Sequence, residues 1–310
     1  MTGRSVSGGL LTIGELTLDD VVVEDIGTSW KQAGGGALYS AVGALVWSAR
    51  VGVSAVVGAD YPDRLLEQVA AAGLATADVL RSPVTASIGL WLLYEVDGTR
   101  RQVEKARGGT FEAVDRLRPA TTAPDLVGVH VAPQSSHGQL RALRQLGGRD
   151  VVRTLDVLIE PFIDREPYLS GELFRELDAF LPSTQEVVDL WGHDDVRRLS
   201  GWLHEHGSDA WLVVKRGPAG VDVLRDGVVL RVPSAVEDLV DPTGAGDAFC
   251  GGFLAGLVAT GDPVEAAVRG VVSSSFVCEA RGALAAAALL DPGRAHRRAD
   301  HARSRVREVS

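Results

Sequence analysis

The run Asp241-Pro-Thr-Gly-Ala-Gly-Asp247 concentrates more potential chemistry than any other stretch of the chain. A strand-like segment ends at Asp241, and Thr243-Gly244-Ala245-Gly246 then opens a helix that begins near Asp247. Small residues let a backbone approach a ligand closely. The unpaired amides of a helix start, together with the helix dipole, bind anions. Asp247 lies in the first turn, where the dipole favours its charged form. An anion cradle beside a fixed carboxylate suits phosphoryl transfer. The amides stabilise charge on the moving group, and the carboxylate takes the hydroxyl proton. A glycine turn with a helix-capping Asp accounts for the same residues, and physics alone does not separate the two readings.

The stretch DPTGAGDAFCGGF resembles the signature of the ribokinase-like carbohydrate kinases, of the phosphofructokinase-B type, and other features agree in order over residues 10–285. The resemblance implies a doubly wound α/β fold, its mainly parallel sheet covered by helices on both faces, with a small β-sheet lid. It further implies a kinase that uses ATP and Mg²⁺ to phosphorylate a hydroxyl of a small sugar or polyol. A nucleoside kinase of the same fold and a non-catalytic member binding sugar or a protein partner are the alternatives. Gly244, Gly246 and Asp247 standing intact together argue against the last. By this resemblance Asp247 is the catalytic base, and Gly244, Ala245 and Gly246 form the anion hole. Asp241 and Thr243 fall where many members bind a monovalent cation, so K⁺ is a further expectation.

The same resemblance assigns the substrate half. Asp19, in TIGELTLDD, aligns with the acid that grips sugar hydroxyls, and a carboxylate can accept two vicinal hydroxyl hydrogen bonds. Asp20 is one residue away. Gly34 and Gly35 match the paired glycines of the sugar site. Many sugar kinases carry an Asn a few residues later; this chain has Tyr39, so its acceptor need not be ribose or fructose. Gln134 follows a strand-like run, and the ends of such strands line ligand crevices; His130 reads as a satisfied core residue. Trp91 and Tyr94 on the lid could cover a sugar. On the nucleotide side, Ser183 replaces the Asn of an Asn-x-x-Glu motif and Glu186 retains its acid, which organises Mg²⁺ through water. The pair also fits a helix capping box. Gly217 and Gly220 permit the turn after VVKR, leaving Lys215 or Arg216 to face phosphate.

Positioning these residues requires elements, and the hydrophobic patterning supplies them. LLTIGEL, VVVEDI and VGVSAVVG read as strands, with a helix after the Gly34-Gly36 break and another in YPDRLLEQVAAAG. TASIGLWLLYEVDGTRRQV reads as a hairpin turning at Asp97-Gly98. By the resemblance, the lid strands fall at about residues 15–35 and 83–106. From about residue 126, strands LVGVHVA, DVVRTLDV and AWLVVKR alternate with helices SHGQLRALRQLGG, GELFRELDAFL and DDVRRLSGWLHEHG. VDVLRDGVVLRV reads as a second hairpin at Asp226-Gly227, followed by two helices rich in small residues from Gly244 to about Ala280. The expected organisation is one domain over residues 1–290 and an Arg-rich tail, a solvated helix or frayed end, over 291–310.

Composition bounds the function. The chain has 310 residues, 45% hydrophobic and 23% charged, enough for a substantial core. Its net charge is −10; the tail carries +3 and the rest −13. So acidic a chain is ill suited to nucleic acid. It also sets a problem for binding ATP, which helix-end amides, Mg²⁺ and Lys215 or Arg216 would solve locally. Cys250 and Cys278 read as buried thiols, and His193, His204 and His206 lack metal-ligand spacing. No leader pattern stands at the N-terminus, and the uncharged stretch Gln32 to Ala49 holds four Gly, a poor membrane span. The cytoplasm is the expected compartment. The exposed strand edges of a lid favour pairing, hence a homodimer through the lid.

Overall fold

The apolar runs form the centre of one large sheet. The computed structural model describes residues 8–95, 100–105, 108–121, 123, 125–225 and 227–309. The turn expected at Asp97-Gly98, and Asp226 of the second turn, lie outside the described residues. The first half of the chain forms β1 (Gly9–Ile13), β2 (Thr17–Val23), β3 (Gly27–Gly34), α1 (Gly36–Leu45), β4 (Val51–Gly58), α2 (Asp63–Ala71), β5 (Leu74–Ser82), β6 (Gly89–Tyr94), β7 (Arg100–Glu104), α3 (Phe111–Leu117), β8 (Leu126–Val131), α4 (Ser136–Gln145) and β9 (Val152–Leu155). The second half forms α5 (Glu166–Leu169), β10 (Ala179–Phe180), α6 (Thr184–Trp191), α7 (Val196–Glu205), β11 (Trp211–Lys215), β12 (Val221–Arg225), β13 (Val228–Val232), α8 (Ala245–Thr260), α9 (Pro263–Cys278), α10 (Ala283–Ala287), α11 (Pro292–Ser304) and β14 (Arg307–Val309).

The large sheet has the order β14-β13-β12-β11-β10-β9-β8-β1-β4-β5, parallel from β11 to β5 and antiparallel beyond. Alternate residues of its strands bury against opposite layers, which is why the runs are almost continuously apolar. Leu10 packs with Ala37, Leu38 and Val42 of α1, while Leu11 and Ile13 pack with Leu140 and Leu143 of α4. Likewise Val213 joins Phe249 and Phe253 of α8, whereas Leu212 and Val214 join Leu199 and Leu203 of α7. This is the doubly wound α/β fold expected from the sequence.

From β1 the chain winds outward to β4 and β5, then returns to the other side of β1 with β8 and continues to β9, β10 and β11. Such a reversal of strand order opens a crevice at the carboxyl ends of the strands. Over that crevice lies a four-stranded sheet, β3-β2-β6-β7, the expected lid.

Two expectations are corrected. GELFRELDAFL is not a helix. Gly171 turns the chain at φ +76°, a single 3-10 turn covers Glu172–Phe174, and Ala179–Phe180 enter the sheet as β10. Leu173, Phe174 and Leu177 bury at helix-like spacing, but Phe174 does so by meeting Phe180, Trp191 and Trp202 edge-on or tilted. Over its described residues, 291–309, the Arg-rich segment expected at 291–310 is neither solvated throughout nor frayed. Ala295, Arg298, Ala299 and Ala302 of α11 are buried, and β14 extends the sheet beside β13. Arg298 is 6% exposed and bonds Glu237 at 2.7 Å, Glu279 and the Ser275 hydroxyl. Acidic partners in the body, invisible in the local sequence, neutralise part of the tail's charge.

His130 is a core residue, as read. It is fully buried, with Nδ1 2.9 Å from Thr154 Oγ1. Burial, helped by the charge of Lys215, holds its imidazole down at about 3. The unfolded chain binds that proton near 6.5, so the native state loses stability as pH falls from there towards 3. Between pH 7 and pH 5 the loss is about 2 kcal/mol from this group. In His130→Asn, urea unfolding at those two pH values should show a pH-dependent loss smaller by about that amount; an unchanged loss would contradict the assignment. Among the described residues, no helix is long and apolar enough to cross a membrane.

Candidate active site

The crevice and lid together enclose a cleft of about 480 Å³. Its floor comes from strand ends and helix starts. Gly35 and Gly36 lead into α1, Pro133 follows β8, and Asp156 follows β9. Lys215 ends β11, and Thr243 to Asp247 lead into α8. Its roof includes Thr17, Asp19, Leu90, Leu92 and Gln102 of the lid. Residues some 200 positions apart in sequence thus face one space.

Gly244 is the N-cap of α8 at φ +73°, in the left-handed region that favours glycine. A Cβ there would fall 2.1 Å from the Tyr39 ring. The first i→i−4 bond of α8 runs from Ala248 to Gly244 at 2.8 Å, so the amides of Gly246 and Asp247 precede the helical ladder. Asp247 follows in the first turn, with Oδ1 2.9 Å from where a Gly36 Cβ would stand. The glycine cradle and the carboxylate therefore meet α1 at its start. Tyr39 is only 6% exposed and lies against the Gly244 turn while lining the cleft. Burial, and then Asp19 and Asp241, push its phenol well up, so it is neutral.

Strand alternation separates Asp19 from Asp20. Asp19 is 4% exposed and points into the cleft, where Gly34 makes room for it: a Cβ at Gly34 would lie 1.8 Å from Asp19 Oδ2. Asp20 turns to the other face, bonded to Lys105 at 2.8 Å and to the Lys31 amide at 2.7 Å. Gly35 has φ +103°, and a Cβ would lie 2.1 Å from the Glu15 carbonyl oxygen. By the same alternation Leu90 and Leu92 line the cleft, while Trp91 packs outside against Trp30 and Lys105. Trp91 thus does not cover the cleft, and Tyr94 is buried in the lid core.

On the opposite wall Ser183 and Glu186 form the capping box of α6 and also line the cleft. Burial, reinforced by Asp156 and opposed by Lys215 and by bonds from Ser183, pushes Glu186 up to about 7. Lys215 and Gly217 line the cleft. Arg216 instead bonds Asp222 and Asp194 at 2.9 Å each. Gly220, at φ +96°, is packed so that a Cβ would meet the Val232 carbonyl oxygen at 2.0 Å. It shapes the turn and is absent from the cleft lining.

Gln134 is corrected in the same way. It is fully buried behind the cleft, bonded to Arg118, which also reaches Glu15 at 3.1 Å and the Gly14 carbonyl at 3.0 Å. Asp241 lines an adjoining cavity with Arg281 and Gly282, and its Oδ1 accepts from the Thr243 amide at 2.9 Å and hydroxyl at 2.5 Å. Cys250 is buried, and burial raises its thiol far above the ordinary range, as core packing predicts.

Sequence reasoning missed Glu15, Thr17, Phe111 and Asp156, all of which line the cleft. Asp156 carried a signal, an acid closing the apolar strand DVVRTLDV, where α/β ligand sites concentrate. Glu15, the acid after the first apolar run, carried the same one. The described lining holds five acids, Glu15, Asp19, Asp156, Glu186 and Asp247, and one lysine. A polyphosphate entering so acidic a cleft must bring or find cations, so the residues fit a nucleotide bound with Mg²⁺. Among the described residues no group of three His, Cys, Asp or Glu could hold a metal directly.

The profile of the pfkB family carbohydrate kinases matches residues 10–288. A cytidine kinase from Thermococcus kodakarensis is 29% identical over 266 residues, 84% of this chain and 92% of that protein. Burkholderia thailandensis nucleoside kinase, solved in complex with inosine, superposes with a TM-score of 0.76 at 18% identity, over 95% of this chain and 97% of that one. An E. coli protein solved in complex with ATP and Mg²⁺ gives 0.72 at 19% identity, over 95% of this chain and 99% of that one. At such identities the two structures establish a shared fold.

Proposed function

The chain belongs to the pfkB family of carbohydrate kinases, and from that premise we propose that it transfers the γ-phosphoryl group of ATP to a hydroxyl of a small sugar or polyol. The observation that carries this reading is the convergence of Asp247, the Gly244–Gly246 turn and Asp19 on one cleft. Asp19 accepts hydrogen bonds from acceptor hydroxyls and, with Gly35 and Tyr39, orients one of them towards Asp247. Asp247 takes the hydroxyl proton as the oxygen forms its bond to the γ-phosphorus and the bond to the β-phosphate oxygen breaks, releasing ADP. The Gly244-Ala245-Gly246 turn receives the charge that develops on the moving group, chiefly through the Gly246 amide ahead of the helical ladder, since the Ala245 amide is bonded to the Pro242 carbonyl at 3.1 Å. Mg²⁺ bound with the nucleotide supplies neutralisation of phosphate charge, and Ser183 and Glu186 would hold it through water. Gly217 and Thr243 border the nucleotide. Asp241 and Thr243 stand where a monovalent cation such as K⁺ would support the anion hole, and the exposed Trp30 and Ile26 of the lid favour a homodimer through that sheet.

A nucleoside acceptor is the second reading. It is supported by the apolar wall of Leu90, Leu92, Phe111 and Leu158, which suits a base, and by likeness to the Thermococcus cytidine kinase along most of the chain. ADP release measured across sugars, polyols and nucleosides, with Mg²⁺ and K⁺ present, tests both. One acceptor class should stimulate release; no stimulation by any would contradict the kinase reading.

Asp19→Ala should raise the acceptor KM by about 10- to 100-fold, the loss of charge-assisted hydrogen bonds. The KM for ATP should stay within about threefold, since the lid acid borders the acceptor. A rise in the KM for ATP instead would show that the two half-sites are misplaced.

A further inference from the structure

Lys215 is the one basic residue among those lining the cleft in the described structure, and its surroundings give it a more specific task than holding nucleotide. β11 alternates, with Val213 on the α8 side of the sheet and Val214 on the other. Lys215 shares the direction of Val213 and so extends towards the start of α8. There its ammonium comes up beside the anion cradle: a Cβ built on Gly246 would lie 3.6 Å from Nζ. The ammonium also contacts Asp156 Oδ2, and Cys250 Sγ lies 3.8 Å away.

Asp156 is itself held. Its Oδ1 accepts from the Val157 amide at 2.9 Å, its Oδ2 lies 3.5 Å from Cys250 Sγ, and it is 2% exposed. A buried carboxylate with one hydrogen-bonded oxygen and one oxygen on a lysine fixes that lysine rather than merely attracting it. The pair is bonded from two parallel strands flanking β10, so neither end can drift without disturbing the sheet. Burial opposes the charge of Lys215, but the Asp156 carboxylate outweighs it and moves its pKa upward, leaving the ammonium charged at neutral pH. An ammonium has three donors; Asp156 and Cys250 take two, which leaves one for a ligand in the cleft.

Resting on the kinase reading above, we propose that Lys215 is a catalytic residue whose ammonium, fixed by Asp156 beside Gly246, bonds the transferred phosphoryl group as it passes from ATP to the acceptor. Asp156 is the positioning residue. The lysine adds a mobile-free full charge to a cradle otherwise made of amide dipoles, at the place where negative charge shifts during transfer.

The test removes the pair without stranding either charge. Lys215→Met combined with Asp156→Asn exchanges a buried ion pair for neutral groups of similar shape, which folded proteins commonly tolerate. With folding checked by thermal melting, kcat per folded molecule should fall by about 100-fold or more, as for loss of an oxyanion donor. The acceptor KM should stay within about threefold. A double variant with kcat within about threefold of the parent would overturn the proposal and mark the pair as purely structural. Lys215→Ala supplies a second measurement: added ethylammonium should restore part of the lost kcat in a saturable way, and absence of rescue in folded protein would overturn the role assigned to the ammonium. Acceptor-dependent ADP release by the unaltered protein is measured alongside. If that fails, the kinase reading fails; if it holds while the variants keep their kcat, only the role of Lys215 does.

Discussion

Asp247→Asn should lower kcat by about 1,000-fold, within the range lost when a general base is removed, while leaving the fold and the KM for ATP nearly unchanged. Asn is nearly isosteric and can still donate and accept, but it cannot take the hydroxyl proton. Asp247 occupies the first turn of a sixteen-residue helix that is buried along most of its length. Removing its charge from that helix start should cost only about 0.3–1 kcal/mol of stability. Steady-state kinetics and a thermal melt on the same preparation separate the two effects. A kcat within about tenfold of the parent would show that another group accepts the proton.

Gly251→Ala should cost about 3 kcal/mol of stability or more, a large effect for one added methyl. Helices α1 and α8 cross at contact distance because glycine faces backbone on both. A Cβ on Gly251 would stand 1.7 Å from the Ser40 carbonyl oxygen, and one on Gly43 2.1 Å from that of Ala248. Backbone atoms cannot rotate away as a side-chain end can, so the helices must separate. That separation would also displace Tyr39 from the Gly244 turn, so kcat should fall with stability. Urea unfolding gives the first number; a loss below about 1 kcal/mol would mean that the crossing is looser than described.

The small residues of ALYSAVGALV and AFCGGFLAG announced that close crossing in the sequence, because few other patterns explain so many glycines in helical segments. The central strands were legible for a similar reason: burial on both faces leaves little besides Val, Leu, Ile and Ala. Other features depended on partners far along the chain. GELFRELDAFL has the apolar spacing of a helix, yet its buried residues pack around Trp191 and Trp202. The arginines of the last segment look solvated until Glu237 and Glu279 are seen beside Arg298. In the site, motif residues at the start of α8 and on β2 could be named beforehand. Asp156, Arg118 and Glu15 could not be ranked, since what distinguishes them is burial and the company of charges brought in by other strands. The inward and outward sides of the lid likewise follow from register, which places Leu90 opposite Asp19 and Trp91 opposite Asp20.

The central claim is that the cleft moves a phosphoryl group from ATP to an alcohol. Incubation with ATP labelled at the γ-phosphate, Mg²⁺ and the acceptor that most stimulates ADP release tests it directly. The label should appear on the acceptor in step with ADP, and Asp247→Asn should stop its appearance. Label found only in inorganic phosphate, at a rate indifferent to the acceptor, would contradict the account.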